Sequence, residues 1–169
     1  MPSESTIKGI VAFADGLDGV DARILGEMFE IAHLHRQIEQ VLESDLAGWG
    51  MSARQIEILE SLFHSKDGGM TPADLADDVC LTRSAMTSAL DSLEKLGHVT
   101  RSPHPSDRRM VVISLTPSGL AFLREHLPER YRTLFGIMNS LSDWERATLL
   151  RIYRRTFTLI SSGMMEDRK

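Results

Sequence analysis

Apolar residues recur at intervals of three and four along two long stretches of the chain, residues 20–50 and 117–163. This spacing puts the apolar side chains on one face of a helix and is typical of amphipathic helices. In the first stretch the apolar positions are Ile24, Met28, Ile31, Ile38 and Leu42. The glycine-containing residues 1–19 predict only a short helix or a loose arm, and residues 164–169 predict a polar tail.

Between these stretches, residues 52–116 contain three shorter helical patterns, each preceded by a residue that can cap a helix. Ser52 stands three residues before Gln55, which is the spacing of a capping box. Thr71 precedes Pro72, and proline is favoured at the first helical position. Thr82 can cap the third helix, whose expected buried residues are Met86, Ala89, Leu90, Leu93 and Leu96. The short link VCLT between the second and third patterns predicts a helix-turn-helix, with Cys80 as a small buried residue.

Two short runs rich in β-branched residues follow, at residues 99–102 and 110–115. Such runs favour strands, and the polar segment HPSDRR between them predicts an extended hairpin. A hairpin that follows a helix-turn-helix is a wing. The predicted fold is therefore mainly α with a small two-stranded β wing, a winged helix-turn-helix.

The net charge of −5 argues mildly against a nucleic-acid-binding protein, because such proteins are usually basic. The charge is unevenly distributed, however. Residues 82–116 contain five Lys or Arg and three Asp or Glu, a net +2, which leaves −7 for the rest of the chain. A local basic patch is enough to neutralise phosphates. The single cysteine, with no convincing signal peptide and no long apolar run, favours a cytoplasmic protein without membrane association.

The polar face of the third short helix, Arg83, Ser84, Thr87 and Ser88, has no carboxylate in its first two turns. Hydroxyl and guanidinium groups can donate to phosphates and base edges, and Arg83 could contact guanine through two hydrogen bonds. On its own, such a face is more often simply solvated. The attached hairpin makes the interpretation as a major-groove recognition helix the stronger one.

The segments TPADLADDVCLTRSAMTSALDSLEKLGHVTR and SDRRMVVISLTPSG, with Asp-x-Arg at residues 107–109, resemble the MarR family of transcriptional regulators. The resemblance implies that Arg109 probes the minor groove, that Asp107 orients it, and that Arg108 is available for phosphate. The alternative is an exposed ion pair of little consequence. The expected DNA-binding residues are Thr71, Thr82, Arg83, Ser84, Thr87, Ser88, Asp107, Arg108 and Arg109.

The resemblance also implies a homodimer formed by the helical regions 20–50 and 117–163, and hence binding to an inverted repeat in double-stranded DNA. Alternatively, these apolar faces pack only within one chain. A pocket for a small aromatic or phenolic effector would lie near His33, Trp49, Met51 and Arg54. Residues such as Trp49 and Met51 are more often core residues, and the sequence does not identify the effector. Repression is the commoner mode in the family.

Other classes of function have weaker support. No hydrolase, phosphate-binding or dinucleotide-binding motif is present, so we expect neither an enzyme nor a cofactor. His33 and His35 are two residues apart and do not share a helix face, so we expect no metal site. The remaining alternative is a winged-helix module whose basic tip binds protein and that does not bind DNA specifically.

Overall fold

The chain is described here from a computed structural model, which describes residues 4–44, 46–66, 68–104, 106–107 and 109–166. Among these residues the elements are α1 (Glu4–Ala14), α2 (Ala22–Ser44), α3 (Ala53–His64), α4 (Pro72–Asp78), α5 (Arg83–Lys95), β1 (Val99–Pro103), β2 (Val111–Leu115), α6 (Pro117–Asn139) and α7 (Asp143–Glu166). The prediction of a mainly helical fold with a two-stranded wing is confirmed. The chain divides into two compact units, Met1–Leu115 and Thr116–Lys169.

The three short helices of the first unit begin at the predicted caps. The Ser52 hydroxyl accepts the Gln55 backbone N–H (3.3 Å), and the Gln55 side chain accepts the Ser52 backbone N–H (2.9 Å), which completes a capping box. Thr71 caps α4, with Pro72 at the first helical position. Thr82 caps α5 by accepting the Ala85 N–H. Each cap satisfies backbone donors that the first turn of a helix leaves unpaired.

The core of the first unit is built from α3, α4, α5 and the two strands. Its fully buried side chains are Ile56, Ile58, Leu59, Leu75, Met86, Leu90, Leu93 and Ile113. Burial of each of these stabilises the fold by about 1.5–3 kcal/mol. The core therefore holds the helix-turn-helix and the base of the wing together.

Two residues that the sequence placed in this core lie at the surface. Leu96 is 48% exposed, because it is the C-cap of α5 and the chain turns away at Gly97 (φ 76°). Cys80 is also exposed. It adopts a φ of 53° in the turn between α4 and α5, where the preceding Val79 takes the buried position. Both predictions of burial were wrong, because a helical pattern does not specify where the chain leaves the core face.

The wing is an antiparallel pair in which Val99 lies opposite Leu115 and Pro103 lies opposite Val111. A third segment joins it: Met70 and Ile113 exchange two backbone hydrogen bonds, of 3.0 and 2.8 Å. Gly69 is required for this approach, since a Cβ there would lie 2.6 Å from Val112 Cγ1. The bridge fixes β2 to the residues immediately before α4.

Of the two alternatives for residues 1–19, a short helix or a loose arm, the structure has the helix, α1, which packs against α2. Gly26 permits a close approach, because a Cβ there would lie 3.1 Å from Val11 Cγ2. In contrast to α3, α2 has no buried residue. Its exposed apolar side chains are Ile24, Met28, Ile31, Leu34, Ile38 and Val41.

The second unit consists of α6 and α7. Thr116 caps α6, with Pro117 at its first position, and Ser142 with Glu145 forms a capping box at the start of α7. The Arg146 guanidinium donates to the backbone carbonyl oxygens of Met138 and Leu141 and thereby ties α7 to the end of α6. Large apolar side chains on α7 are exposed: Leu149, Leu150, Ile152, Tyr153, Phe157, Leu159 and Ile160.

Within the part of the chain that the structure describes, the helices are too short or too polar to cross a lipid bilayer.

Candidate nucleic-acid interface

The helix-turn-helix presents the polar face of α5 to solvent. The turn is closed by the Leu81 N–H, which donates to the Ala76 carbonyl oxygen (2.8 Å). Arg83, Ser84, Thr87 and Ser88 are all exposed, as predicted, while Met86 and Leu90 on the opposite face are buried. The first carboxylate along α5 is Asp91. The first two turns of α5 therefore present no negative side chain of their own to a polyanion.

The hydroxyl groups on this face have local partners that DNA can replace. Thr87 Oγ1 donates to the Arg83 carbonyl oxygen (3.0 Å), and Ser88 Oγ donates to the Ser84 carbonyl oxygen (3.2 Å). Such bonds within one helix add little stability, and the hydroxyl oxygens keep lone pairs that can accept. Rotation about the side-chain bond redirects each O–H toward a ligand. The face can both donate and accept.

The threonines that cap α4 and α5 differ in their surroundings. Thr71 is only 9% exposed, and its hydroxyl both accepts the Asp74 backbone N–H (3.2 Å) and donates to the Asp74 carboxylate (2.7 Å). Thr82 is exposed and lies at the start of α5. The placement of Thr71 argues against the predicted direct contact with DNA, whereas Thr82 remains accessible.

The tip of the wing is ordered by Asp107. Its carboxylate accepts the backbone N–H of Arg109 (2.9 Å), and its carbonyl oxygen accepts the N–H of Met110 (3.0 Å). Asp107 thus shapes the turn that carries Arg109, and both side chains are exposed. Arg108 lies outside the described residues. The wing presents the Arg109 guanidinium at its outer end, as a groove-probing residue requires.

An ion-pair cluster that the sequence did not predict lies between the wing and α5. Arg101 on β1 contacts the Asp91 carboxylate (2.6 Å) and the Glu94 carboxylate (2.9 Å). The three-residue spacing of Asp91 and Glu94 places both on one side of the end of α5. This spacing is the only feature of the sequence that indicates the cluster. The cluster carries a net −1, so the net positive charge of residues 82–116 comes from the other cations of this segment, Arg83, Lys95, Arg108 and Arg109.

The four predicted effector-pocket residues have different environments. Met51 is buried, which confirms its interpretation as a core residue, and His33 and Trp49 are half-buried. Arg54 is exposed and pairs with Glu57 at 2.7 Å, a contact that raises the pKa of the Arg54 guanidinium. Across the described ranges, no three His, Cys, Asp or Glu side chains converge as metal ligands would.

A helix-turn-helix with an open polar recognition face and an arginine-tipped wing defines a winged helix-turn-helix protein of the DNA-binding class. Residues 51–111 match the family model described as the MarR family. The HTH-type transcriptional repressor YetL of Bacillus subtilis is 30% identical over 154 residues, which cover 91% of this chain and 92% of YetL. The chain therefore belongs to the MarR family of transcriptional regulators.

Other relatives agree with this assignment. The HTH-type transcriptional regulator PecS of Dickeya dadantii is 27% identical over 82% of both chains. AbsC of Streptomyces coelicolor, a MarR family transcriptional regulator, has a similar fold, with a TM-score of 0.73 at 24% identity over 81% of this chain and 95% of AbsC. A mutant MarR of Escherichia coli in complex with operator DNA gives a TM-score of 0.67 at 26% identity, over 77% of this chain and 93% of that one.

Proposed function

We propose that this regulator is a repressor that binds an inverted-repeat operator as a homodimer and is released by a small-molecule effector. The observation that carries the proposal is the open face of α5, which has no carboxylate before Asp91 and is followed by a wing that ends in Arg109. Repression is supported by the relative YetL, which is named as a repressor, and operator binding by the related MarR–operator complex.

In this proposal, α5 enters the major groove and the wing lies along the adjacent minor groove. Ser84, Thr87 and Ser88 would contact base edges or phosphates, and Arg83 would pair with guanine. Thr82 would lie near a phosphate at the N-terminus of α5, where backbone N–H groups attract anions. Arg109, ordered by Asp107, would enter a narrow, electronegative minor groove, with Arg108 beside it.

The homodimer is supported by apolar surface that one chain leaves open. α2 has 23 residues and no buried side chain, and α7 exposes a row of large apolar residues that includes Phe157 (73% exposed). Helices in proteins gain most of their stability from packing an apolar face, so such faces mark an interaction surface. A second copy related by a two-fold axis would cover the same residues on both chains and pair two copies of α5.

The effector is proposed to be a small aromatic or phenolic molecule bound near His33, Trp49 and Arg54. The half-buried ring of Trp49 and the cation of Arg54 could hold an aromatic ring and a phenolate oxygen. The site would lie at the connection between α2 and α3. As a DNA-binding regulator the protein would act in the cytoplasm.

Selection of binding sites from random duplex DNA tests the proposal. The expected product is an inverted repeat whose half-sites lie about one helical turn apart, roughly 34–36 Å, because two recognition helices contact successive major grooves. Affinity for that site should fall steeply as the salt concentration rises. Release by candidate phenolic compounds is measured on the same complex. Failure to enrich any sequence, or binding that is insensitive to salt, would contradict operator binding and favour a protein-binding wing.

A further inference from the structure

Arg101 connects the two elements that are proposed to contact DNA. It lies in the middle of β1, and its side chain, 33% exposed, reaches two carboxylates on α5, those of Asp91 and Glu94. Charge-assisted contacts of an arginine with two acceptors fix the direction of the guanidinium more firmly than a single contact does. Arg101 therefore holds β1 at a defined position along the last turns of the recognition helix.

Among the described residues, the anchors that tie the hairpin to other elements lie in its inner half. β1 follows α5 directly through the turn at Gly97, and β2 is held at Ile113 by its bridge to Met70. Arg101 lies opposite Ile113 in the sheet. Beyond this pair the strands extend two more residues, about 7 Å at 3.3 Å per residue, before the loop that carries Arg109. A rotation of the hairpin at its base therefore displaces the tip.

We propose that Arg101 is a positioning residue for DNA binding: by pairing with Asp91 and Glu94 it locks the wing to the recognition helix, so that Arg109 and α5 reach adjacent grooves together. The inference rests on the proposed DNA-binding role of α5 and the wing. Arg101 itself does not touch DNA in this proposal, and its effect is transmitted through Arg109.

A second effect of the same contact must be separated from positioning. Asp91 and Glu94 lie on the recognition helix, and their negative charges would repel phosphates if Arg101 did not neutralise them. Loss of Arg101 therefore exposes two carboxylates as well as freeing the wing. Asp91→Asn and Glu94→Gln remove the repulsion but cannot restore the anchor. Binding measurements on these variants therefore distinguish the two effects.

The first experiment measures the wing without DNA. A spin label on the native, exposed Cys80 and one on Met110→Cys report the distance from the helix-turn-helix to the tip of the wing by double electron–electron resonance, in full-length protein diluted with unlabelled chains. Arg101→Gln should broaden the distance distribution, and Lys95→Gln, which removes a charge from the same end of α5, should leave it narrow. An unchanged distribution in Arg101→Gln would overturn the proposal.

The second experiment measures coupling on the operator selected from random DNA. We expect Arg109→Ala to weaken wild-type binding by about tenfold and to weaken Arg101→Gln by less than about twofold, because a free wing no longer delivers Arg109. Hydroxyl-radical footprinting should show loss of minor-groove protection at the wing while protection around α5 persists. Lys95→Gln is the matched control, in which Arg109→Ala should keep its full effect.

The outcomes separate this inference from the proposed function. If Arg109→Ala costs the same factor in both backgrounds, Arg101 does not position the wing, although DNA binding itself stands. If Asp91→Asn with Glu94→Gln restores the effect of Arg109→Ala in the Arg101→Gln background, charge neutralisation accounts for Arg101 and the positioning role is wrong. If wild-type protein selects no operator, the proposed function fails, and the spin-label distances still decide whether Arg101 anchors the wing.

Discussion

Gln55 on α3 donates from its side-chain nitrogen to the hydroxyl oxygen of Ser92 on α5, across 2.9 Å. The carbonyl oxygen of the same side chain accepts the Ser52 backbone N–H and so completes the capping box of α3. One amide group therefore stabilises the start of α3 and joins that point to the recognition helix. The connection runs from the segment proposed to bind an effector to the helix proposed to bind DNA.

Gln55→Ala should lower the free energy of unfolding by about 1–2 kcal/mol, because it removes part of a cap and leaves the Ser92 hydroxyl without this partner. Urea denaturation followed by circular dichroism measures the change. Gln55→Glu is the control, since a carboxylate keeps the acceptor for the Ser52 N–H and can accept from the Ser92 hydroxyl. A loss below about 0.3 kcal/mol in Gln55→Ala would show that the side chain is dispensable for the fold.

Arg109→Ala should weaken binding to all duplex sequences, because the wing contributes a cation to the groove and the phosphates. The slope of log affinity against log salt should become shallower by about one. Fluorescence anisotropy on the selected operator and on random DNA, at several salt concentrations, provides both quantities. Asp107→Asn keeps an oxygen that can accept the Arg109 N–H and should retain most of the affinity. An unchanged slope in Arg109→Ala would remove the wing tip from the interface.

Arg83→Ala should change which bases are preferred, since a bidentate contact to guanine discriminates against other bases by about 1–3 kcal/mol. Repeating the site selection with this variant identifies the position that it contacts. Thr87→Ala, on the same face one turn later, should relax a different position. Equal losses of affinity on the selected operator and on random DNA would indicate that Arg83 contacts phosphate only.

Ile31→Glu on α2 and Phe157→Glu on α7 should each weaken the proposed dimer, because a carboxylate would be buried against apolar surface. Both side chains are largely exposed in the single chain, so the substitutions should leave the monomer folded. Sedimentation at several protein concentrations measures the mass. Lys66→Glu, in the loop after α3, is the control for added negative charge. A mass that stays at the wild-type value in both variants would place the interface elsewhere.

The start of α7 should respond to acid through Glu145. Hydrogen bonds from Ser142, from both its hydroxyl and its backbone N–H, lower the pKa of the Glu145 carboxyl below its ordinary value of 4.5. The ionised form is thus favoured in the folded state, so the stabilisation is complete above pH 4.5 and is lost as pH falls through the lower folded-state pKa.

Glu145→Gln is the matched variant, because glutamine can accept the same backbone N–H but does not titrate. The difference in stability between wild type and Glu145→Gln, measured by urea denaturation between pH 7 and pH 3, should be constant down to about 4.5 and then decrease. A difference that is independent of pH would mean that the carboxylate charge does not contribute.

The sequence was most informative where a local rule decides the structure. Ser52, Thr71 and Thr82 all cap helices as predicted, because a cap depends only on residues within one turn. The two strands end within one or two residues of their predicted limits for a similar reason. The exposed face of α5 also followed from helical spacing alone.

Features that depend on distant residues could not be predicted. The pairing of Arg101 with Asp91 and Glu94 requires the angle between the wing and α5, which no local pattern encodes. The exposure of Cys80 depends on a positive φ in the turn, a conformation that nothing about a cysteine suggests. The roles of His33 and Trp49 depend on a ligand and a partner chain, and they stay predictions.

The bridge between Met70 and Ile113 joins residues that are more than forty positions apart in the chain. The wing is therefore not an autonomous hairpin. Closing so long a loop lowers the entropy of the chain, and this free-energy cost is offset only once α4 and α5 have packed. A peptide spanning the two strands should be largely unstructured in water, since isolated hairpins are marginally stable. Exchanging wings between relatives would require residue 69 to remain glycine, so the order of the tip that is proposed to contact DNA is set in part by a backbone position far from it in sequence.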